Sequence, residues 1–239
     1  MHFHTHSYYS FCVIFLGYIA FSTTLNCLYY SRRDAKQWKI QGNIGHIGQF
    51  WGYPLFSEKP NRHQYHRIFT TINLLVSSTF AFVASELVHS GKSSLQFYND
   101  INILWLIVEV VIAIVYQSIC EYYWHRLQHT NYFYRTFHKY HHYYKAPEPY
   151  DDMMIHPVEA FGYYCILFGP VLLLPIHLYA FIIYMIIMGM CGVLDHSGIR
   201  ITIPFIYSTL DHDKHHSEVN YNYAFPFVFM DVLHGTYRE

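Results

Sequence analysis

The stretch that decides the fold is residues 101–129, INILWLIVEVVIAIVYQSICEYYWHRLQH. Residues 101–120 form an apolar run with a single charged residue, Glu109. An α-helix needs roughly 20 such residues to cross the hydrocarbon core of a bilayer. His125 and His129 follow directly, and their spacing of four residues places both on one face of a helix. The stretch therefore predicts a membrane-spanning helix that delivers two imidazoles to one membrane surface.

Two more histidine boxes follow, His138-Lys-Tyr-His141-His142 and His212-Asp-Lys-His215-His216. Their spacings of three and four residues let each box turn two or three imidazoles toward a common point. Imidazole binds iron, zinc, copper and nickel, and so many histidines exceed the coordination sphere of one metal. We therefore predict a two-metal site whose candidate ligands are His125, His129, His138, His141, His142, His212, His215 and His216.

Two satellite histidines, His156 in Ile-His-Pro-Val-Glu and His196 in Asp-His-Ser-Gly, allow two readings each. His156 is either a ligand or the cap of a turn before Pro157. His196 is either a ligand or a buried, hydrogen-bonded histidine at a helix end. Other histidines, including His2, His4 and His6 at the N-terminal end, are expected to be incidental, and His234 is expected to be structural.

Carboxylates near the boxes are candidate hydrogen-bond partners, because a ligating histidine usually donates its second N–H to an acceptor. The alternative for each is a solvated charge at the membrane interface. Glu109 differs, because a charge within an apolar run is costly and should face the bundle interior. It lies on the opposite side of its helix from His125, so no catalytic role is expected. The candidate partners are Glu121, Glu159, Asp195, Asp211 and Asp213.

Composition agrees with a membrane protein. Of the 239 residues, 53% are hydrophobic and 13% are charged, and that charged fraction is about half of what soluble domains carry. The formal net charge of −1 gives no indication of a nucleic-acid partner. The five cysteines lie in or beside apolar runs without a CxxC pair, which predicts buried, reduced thiols rather than disulfides.

Four apolar regions, residues 8–30, 68–88, 101–120 and 160–194, approach or exceed spanning length. Pro170 and Pro175 interrupt the last region, which favours a hairpin of two short helices. A basic cluster of Arg32, Arg33, Lys36 and Lys39 follows the first region and places that end in the cytosol. A cleaved signal peptide fits poorly, because the basic residues come after the apolar run.

This topology brings all the boxes to one side. The second span runs from the cytosol to the opposite side of the membrane, and the third returns to the cytosol just before His125. The hairpin then crosses twice and brings His196 and the third box to the same cytosolic face. A single span in place of the hairpin would separate the boxes. We therefore predict an all-α, multi-span membrane helical bundle with a cytosolic, histidine-rich helical cap. Residues 1–120 hold the N-terminal spans and an irregular connector (31–66), and residues 121–239 hold the catalytic region with the hairpin (160–194), in a single domain.

The order of the motifs resembles the fatty acid hydroxylase superfamily, which includes sterol desaturases and C-4 methyl sterol oxidases. The resemblance covers residues 121–239 and is nearest to the sterol branch, chiefly through the His-Pro-x-Glu and His-Ser-Gly segments. One departure is His234, where the closing motif usually has a bulky apolar residue. The matching segments are His125-Arg-Leu-x-His129, His138-Lys-x-His141-His142, Lys145-Ala-Pro147, His156-Pro-x-Glu159, Asp195-His196-Ser-Gly198, His212-Asp-x-His215-His216 and Asp231-Val-Leu-His-Gly235-Thr.

The resemblance implies a membrane enzyme, typically of the endoplasmic reticulum, that uses O₂ to hydroxylate, oxidise or desaturate a lipid. It implies two iron ions, with zinc as the alternative metal, and it adds His156 and His196 to the ligands. The substrate would be a sterol-like or fatty acyl lipid from the bilayer. The sequence holds no dinucleotide fingerprint and no haem-binding His-Pro-Gly-Gly segment, so a separate b-type cytochrome and its reductase are the implied electron donors.

Other functions compete with this one. The same fold with aldehyde-to-alkane cleavage, or with a redox-inactive zinc site, would use the same boxes. A metal transporter is a different class, but transporters usually place their ligands near mid-bilayer, whereas these boxes lie beyond the predicted span ends. A catalytically inactive, lipid-binding relative is the remaining alternative.

Overall fold

The computed structural model describes residues 3–32, 34–42, 48–55, 63–204 and 206–239. Two residues discussed above, His2 and Arg33, lie outside this part of the chain. The helices are α1 (Thr5–Leu25), α2 (Ala35–Trp38), α3 (His66–His89), α4 (Ile103–Gln128), α5 (Asn131–Thr136), α6 (Pro157–Leu167), α7 (Pro170–Leu173), α8 (Leu178–Asp195), α9 (Thr209–Glu218) and α10 (Phe229–His234).

Short irregular helices and strands complete the described chain. A π-helical turn, Asn26–Tyr30, extends α1, and two 3₁₀ turns, His138–Tyr143 and Asp151–Met153, lie between α5 and α6. The two antiparallel strand pairs are β1 (Gln49–Phe50) with β2 (Tyr53–Pro54), and β3 (Thr202–Ile203) with β4 (Tyr207–Ser208).

Four helices are long and apolar enough to cross a membrane: Thr5–Tyr30, His66–His89, Ile103–Gln128 and Leu178–Asp195. Together with the scarcity of sheet in the described residues, they confirm the predicted all-α, multi-span bundle. The long helices pair as α1 with α3 and α4 with α8, while α6 contacts both α3 and α4. A core around Ala160, Ala180 and Tyr184 joins them.

The predicted hairpin is two helical arms of unequal length. The first arm, Pro157–Leu173, is interrupted just before Pro170. Pro170 is the first residue of α7, a position at which the missing N–H of proline costs no helical hydrogen bond. Residues 174–177 are not helical, and Pro175 lies among them, because proline lacks the N–H that a continuing helix needs. The second arm is α8.

The third span is longer than its apolar run. We expected it to end near Cys120, but α4 continues as one helix to Gln128 and crosses the expected division at residues 120 and 121. Residues 121–128 contain no glycine or proline, so nothing in them stops a helix that is already formed. Glu109, as predicted, is buried, and its carboxylate accepts hydrogen bonds from the Tyr98 hydroxyl (3.0 Å) and the His177 backbone N–H (3.2 Å).

Lys39 departs from its expected place in an exposed basic cluster. Its side chain is 1% exposed, lies 3.6 Å from the Glu148 carboxylate and sits 5.3 Å above the Tyr30 ring. The next residue, Ile40, donates its backbone N–H to the Gly198 carbonyl (2.9 Å). Gly198 has φ +67°, and a Cβ there would lie 2.6 Å from the Pro147 carbonyl oxygen, so glycine is required. The connector is thereby fastened to the end of α8.

The cysteines are free thiols, as predicted, but none of the five is fully buried, and Cys120 and Cys191 are half-buried. Cys12, Cys27 and Cys165 are exposed on outward helix faces. The same faces carry exposed large apolar residues, including Val13 (68%) and Leu104 (75%). Apolar residues are favoured on such a surface when its solvent is lipid, so an apolar run in this chain does not imply burial within the protein.

Candidate metal centre

The three histidine boxes meet at one end of the bundle, although they lie on different local structures. His125 is in the last turn of α4 and His129 is the residue that ends this helix. The second box forms the 3₁₀ turn His138–Tyr143, and the third lies on α9. His196 follows the last residue of α8. Four chain segments that are distant in sequence thus supply the cluster.

The structure divides nine of the ten predicted ligands into two adjacent groups. In each group one nitrogen of every ring lies within 4.8 Å of those of all the other members. Rings of the two groups are also in contact, as for His142 and His216, whose centroids are 4.9 Å apart. The first group is His125, His129, His138, His142 and His215, and the second is His141, His196, His212 and His216.

The second and third boxes are each split between the groups. His138 and His142 belong to the first group, whereas His141 belongs to the second. In the third box His215 belongs to the first group, whereas His216 belongs to the second. Adjacent residues of a helix point about 100° apart, so neighbouring histidines cannot face one metal. The expectation of one common point per box is replaced by boxes that straddle two sites.

The ring nitrogens have the spacing of a coordination sphere. The Nε2 atom of His138 lies 2.9 Å from that of His129 and 3.0 Å from that of His142. In the second group the Nε2 atom of His196 lies 2.9 Å from that of His212. Two unprotonated nitrogens cannot hydrogen-bond to each other. A metal with bonds of about 2.1 Å to nitrogen places neighbouring ligands at right angles about 3.0 Å apart, so both groups fit a metal ion.

The opposite ring nitrogens fix which atom faces the metals. When Nδ1 carries the proton and donates it, Nε2 keeps a lone pair for a metal. Nδ1 of His141, His142 and His212 has no hydrogen-bond partner among the described residues, but Glu159 accepts such a bond from His138, and backbone carbonyls accept one from each of four further rings. These bonds are His125 to Tyr223 (2.7 Å), His196 to Gly192 (2.8 Å), His215 to Tyr221 (2.6 Å) and His216 to Tyr144 (3.2 Å).

Burial favours the uncharged form of the second and third histidine boxes before any metal binds. Burial is the main cause that lowers the pKa of the box histidines on the 3₁₀ turn and on α9, and the neighbouring imidazoles lower it further. Neutral imidazole is the form that binds metal, so these side chains are prepared as ligands at pH 7.

The predicted carboxylate partners have different environments. Glu159 contacts a ligand directly, and Glu121 lines the cavity beside His125 while accepting a bond from Gln117 (2.7 Å). Asp195 accepts a hydrogen bond from the Tyr207 hydroxyl (2.5 Å). Asp211 accepts a hydrogen bond from the Tyr237 hydroxyl (3.4 Å) and belongs to neither histidine group. Asp213 accepts a bond from Gln41 (3.0 Å), and burial raises its pKa to about 6.

His156 is the one predicted ligand that the structure does not bring to the cluster. It precedes α6, and its Nδ1 accepts a hydrogen bond from the Val158 backbone N–H at 3.2 Å. Its ring packs against Phe137. The capping alternative describes this geometry, because a helix that begins at Pro157 leaves backbone N–H groups that need an acceptor. His234 also lies apart, stacked on Tyr122 at 4.9 Å.

Asp152 is a site residue that sequence reasoning missed. It lies in the 3₁₀ turn Asp151–Met153, and its Oδ1 is 3.3 Å from Nδ1 of His196. Burial raises the pKa of its carboxyl group. The sequence signal was a pair of adjacent aspartates before His156-Pro157, which the box spacing does not connect to any ligand. The companion, Asp151, accepts a hydrogen bond from His66 (2.9 Å) and anchors this turn to α3.

A small cavity of about 60 Å³ adjoins the histidines. Glu121 and Asp152 are among its polar lining residues, while Trp124, Ile155 and Phe225 supply apolar walls. Gly162 lets Trp124 take this position, because a Cβ there would lie 2.3 Å from the indole ring. The cluster is thus screened from water on this side by apolar side chains, which strengthens electrostatic interactions within it.

The structure defines a class of protein: a helical bundle with helices of membrane-spanning length and two adjacent histidine groups at one end. Comparison with known proteins agrees: the fatty acid hydroxylase family model matches residues 110–236, just over half of the chain. The chain belongs to this family, as the motif order indicated. No solved structure matches the chain significantly.

Curated relatives with similar sequences act on lipids, by their names. Lathosterol oxidase of Mus musculus is 28% identical over 60% of this chain and 51% of its own length. The Delta(7)-sterol 5(6)-desaturase ERG3B of Gibberella zeae is 26% identical over 78% of this chain and 58% of its own length. Very-long-chain aldehyde decarbonylase GL1-11 of Oryza sativa subsp. indica is 30% identical over 56% of this chain and 55% of its own length. The chain spans about half the length of these relatives.

Proposed function

We propose that this protein is a membrane-bound oxidoreductase that uses O₂ and two histidine-held iron ions to hydroxylate, oxidise or desaturate a sterol-like or fatty acyl lipid. The observation that carries the proposal is the pair of adjacent histidine groups with their Nε2 atoms turned inward. An all-imidazole donor set suits iron and zinc, and the relatives named for lipid oxidation favour iron.

The chemistry divides between the metals and the protein. Two bound irons, with O₂ and reducing equivalents, would supply the oxidising power needed at an unactivated C–H bond. His142 and His216, whose ring centroids are 4.9 Å apart, would be ligands of different metals, and Glu159 orients His138 by accepting its Nδ1–H. Trp124 and Phe225 keep the adjoining cavity apolar. Such a site protects a reactive oxidant from water while one carbon of the lipid is held beside it.

Electron donors and location belong to the same proposal. A separate b-type cytochrome with its reductase would deliver electrons to the histidine cap. We place the protein in the endoplasmic reticulum with the boxes facing the cytosol, because basic residues follow the first span. Lys36 and Arg32 are the exposed members of that cluster in the described chain.

Aldehyde cleavage is the second candidate, favoured by the similarity to a rice aldehyde decarbonylase. A metal transporter is less compatible with the structure. The histidine groups lie at one end of the bundle, whereas transporter sites lie near the middle of the spans.

Metal content of the detergent-purified protein tests the proposal. His141 and His142 belong to different groups, so the double variant His141→Ala/His142→Ala damages both sites. We expect about two irons per chain in the wild type and a large loss in this variant. Product analysis after incubation with lathosterol, a long-chain aldehyde and a fatty acyl lipid then separates the reaction classes. A folded wild type without bound metal would contradict the proposal and favour an inactive, lipid-binding relative.

A further inference from the structure

A long cavity reaches the metal centre from the opposite end of the bundle. It has a volume of about 780 Å³ and is bounded by α1, α3, α6 and α8. Along α1 its wall extends from His6 to Phe21, about 22 Å at 1.5 Å per residue. It shares Asp152, Tyr163 and Gly192 with the small cavity beside the histidines, so the two spaces meet at the metal centre.

This cavity has the size and the access of a lipid site. Cavities of about 300–1,000 Å³ bind compact organic ligands, so a single lipid of sterol size fits. Val13 and Ile186, on α1 and α8, line the cavity and are also exposed on the outer surface, at 68% and 56%. The gap between these helices therefore opens toward the bilayer, and a lipid can enter sideways.

Polar groups lie at the ends of the cavity. His6 and His89 lie at the far end, with their rings stacked at 5.2 Å. At the metal end Asp152 is the one carboxylate among the lining residues. Tyr18 and Tyr164 also line the cavity. The wall between the two ends is mainly apolar.

The Asp152 carboxylate has acceptor capacity that the described protein does not use. Its contact with Nδ1 of His196 is 3.3 Å long, and that N–H is already donated to the Gly192 carbonyl at 2.8 Å. A Cβ built at Gly192 would lie 3.5 and 3.8 Å from the two carboxylate oxygens, so the carboxylate faces the groove of α8 where the cavities meet. The Asp152 side chain is 19% exposed where the two cavities meet, so a ligand that displaces water from this carboxylate must supply a hydrogen-bond donor in exchange.

We infer that the substrate is an elongated, uncharged lipid alcohol, bound with its hydroxyl group donating a hydrogen bond to Asp152 and its apolar body along the cavity. This inference rests on the proposed function and narrows its substrate class. No lysine or arginine is among the described residues that line either cavity, so a phosphate-bearing head group would find no cation. The hydroxyl next to Asp152 also places the carbons near it beside the metals.

Binding to the metal-free protein tests the inference without any turnover. The probes are lathosterol, which has one hydroxyl group, and its methyl ether, which cannot donate a hydrogen bond. Displacement of radiolabelled lathosterol in detergent gives both affinities. We expect the wild type to prefer the alcohol by about 10- to 100-fold, the effect of one hydrogen bond to a charged acceptor. Asp152→Ala should bind both probes with the weak affinity of the ether, and Asp152→Asn, which keeps an acceptor oxygen, should recover part of the preference.

Blocking the cavity supplies a matched control. A Cβ at Gly17 would meet nothing within 4 Å, so Gly17→Trp can place an indole inside the cavity. Its neighbour Leu16 is 59% exposed and does not line the cavity. Gly17→Trp should lose binding of both probes, and Leu16→Trp should bind both as the wild type does. Equal effects of the two tryptophans would overturn the assignment of this cavity.

Two results would overturn the role of Asp152. One is a preference for the alcohol that survives in Asp152→Ala while the variant keeps the thermal stability of the wild type. The other is equal affinity for both probes in the wild type, with binding weakened by His89→Ala, which would place the polar head at the far end.

Failure of the proposed function can be distinguished from failure of this inference. Preferential binding of the alcohol without its oxidation by iron-loaded protein that is supplied with O₂ and a reductant refutes the proposed function alone. Oxidation of the ether as efficiently as the alcohol under the same conditions refutes this inference alone.

Discussion

Replacing Glu159 by glutamine tests how the protein tunes one of its two metal sites. The carboxylate is buried, at 6% exposure, and accepts the Nδ1–H of His138. Its second oxygen has no hydrogen-bond partner among the described residues, so the bond to His138 is its main polar interaction. Glu159→Gln keeps the shape of the side chain and removes the charge that makes the imidazole a stronger ligand.

The expected loss of affinity is confined to one of the two metal sites. Removing a partner of this kind lowers metal affinity about 10- to 100-fold, or about 1.4 to 2.7 kcal/mol. His138 belongs to the group of five histidines, and among the described residues no member of the group of four hydrogen-bonds to Glu159. We therefore expect Glu159→Gln to release one metal per chain at a chelator concentration at which the wild type keeps both.

Chelator titration with metal analysis of the purified protein measures this effect. Glu109→Gln is the matched control, because Glu109 is a similarly buried carboxylate, at 3% exposure, bonded to Tyr98 and His177 instead of a ligand. It should retain both metals as the wild type does. The reasoning would be refuted if Glu159→Gln kept both metals as the wild type does, or if the two variants lost equal amounts of metal.

Three further predictions concern the cluster and its support. His142→Ala and His216→Ala, one from each group, should each abolish lipid oxidation while membrane insertion, followed by carbonate extraction, stays normal; full activity in both would contradict the metal site. The buried box histidines have lowered pKa values, whereas unfolded histidine titrates near about 6.5. The unfolded chain binds more protons below that pH, so metal-free protein should keep its stability from pH 7 to 8 and lose it on acidification below about 6.5. A melting temperature that is constant down to pH 5 would contradict this. Lys39→Met removes the buried ammonium group that lies 3.6 Å from the Glu148 carboxylate, and breaking this buried ion pair should cost about 3 to 5 kcal/mol, seen as a lower melting temperature, whereas Lys36→Met, at an exposed position, should change little.

The sequence alone determined the spans and the existence of a cluster of histidines. Apolar length depends only on composition along the chain, and it located the four long helices to within a few residues at most ends. Pro175 marked the break of the hairpin, because proline removes a backbone donor wherever it stands. Histidines three and four residues apart indicated metal ligands, because helical spacing is a local property.

Only the tertiary structure decided how these parts divide their roles. The assignment of His141 and His142 to different groups depends on which neighbouring segments face each ring. His156 was indistinguishable from His196 by local pattern, yet one caps a helix and the other joins the cluster. Asp152 reaches His196 across a sequence separation that no helical period describes. Spacing along a helix sets the angle between two side chains, but the atoms opposite them come from packing, and packing is a property of the whole chain.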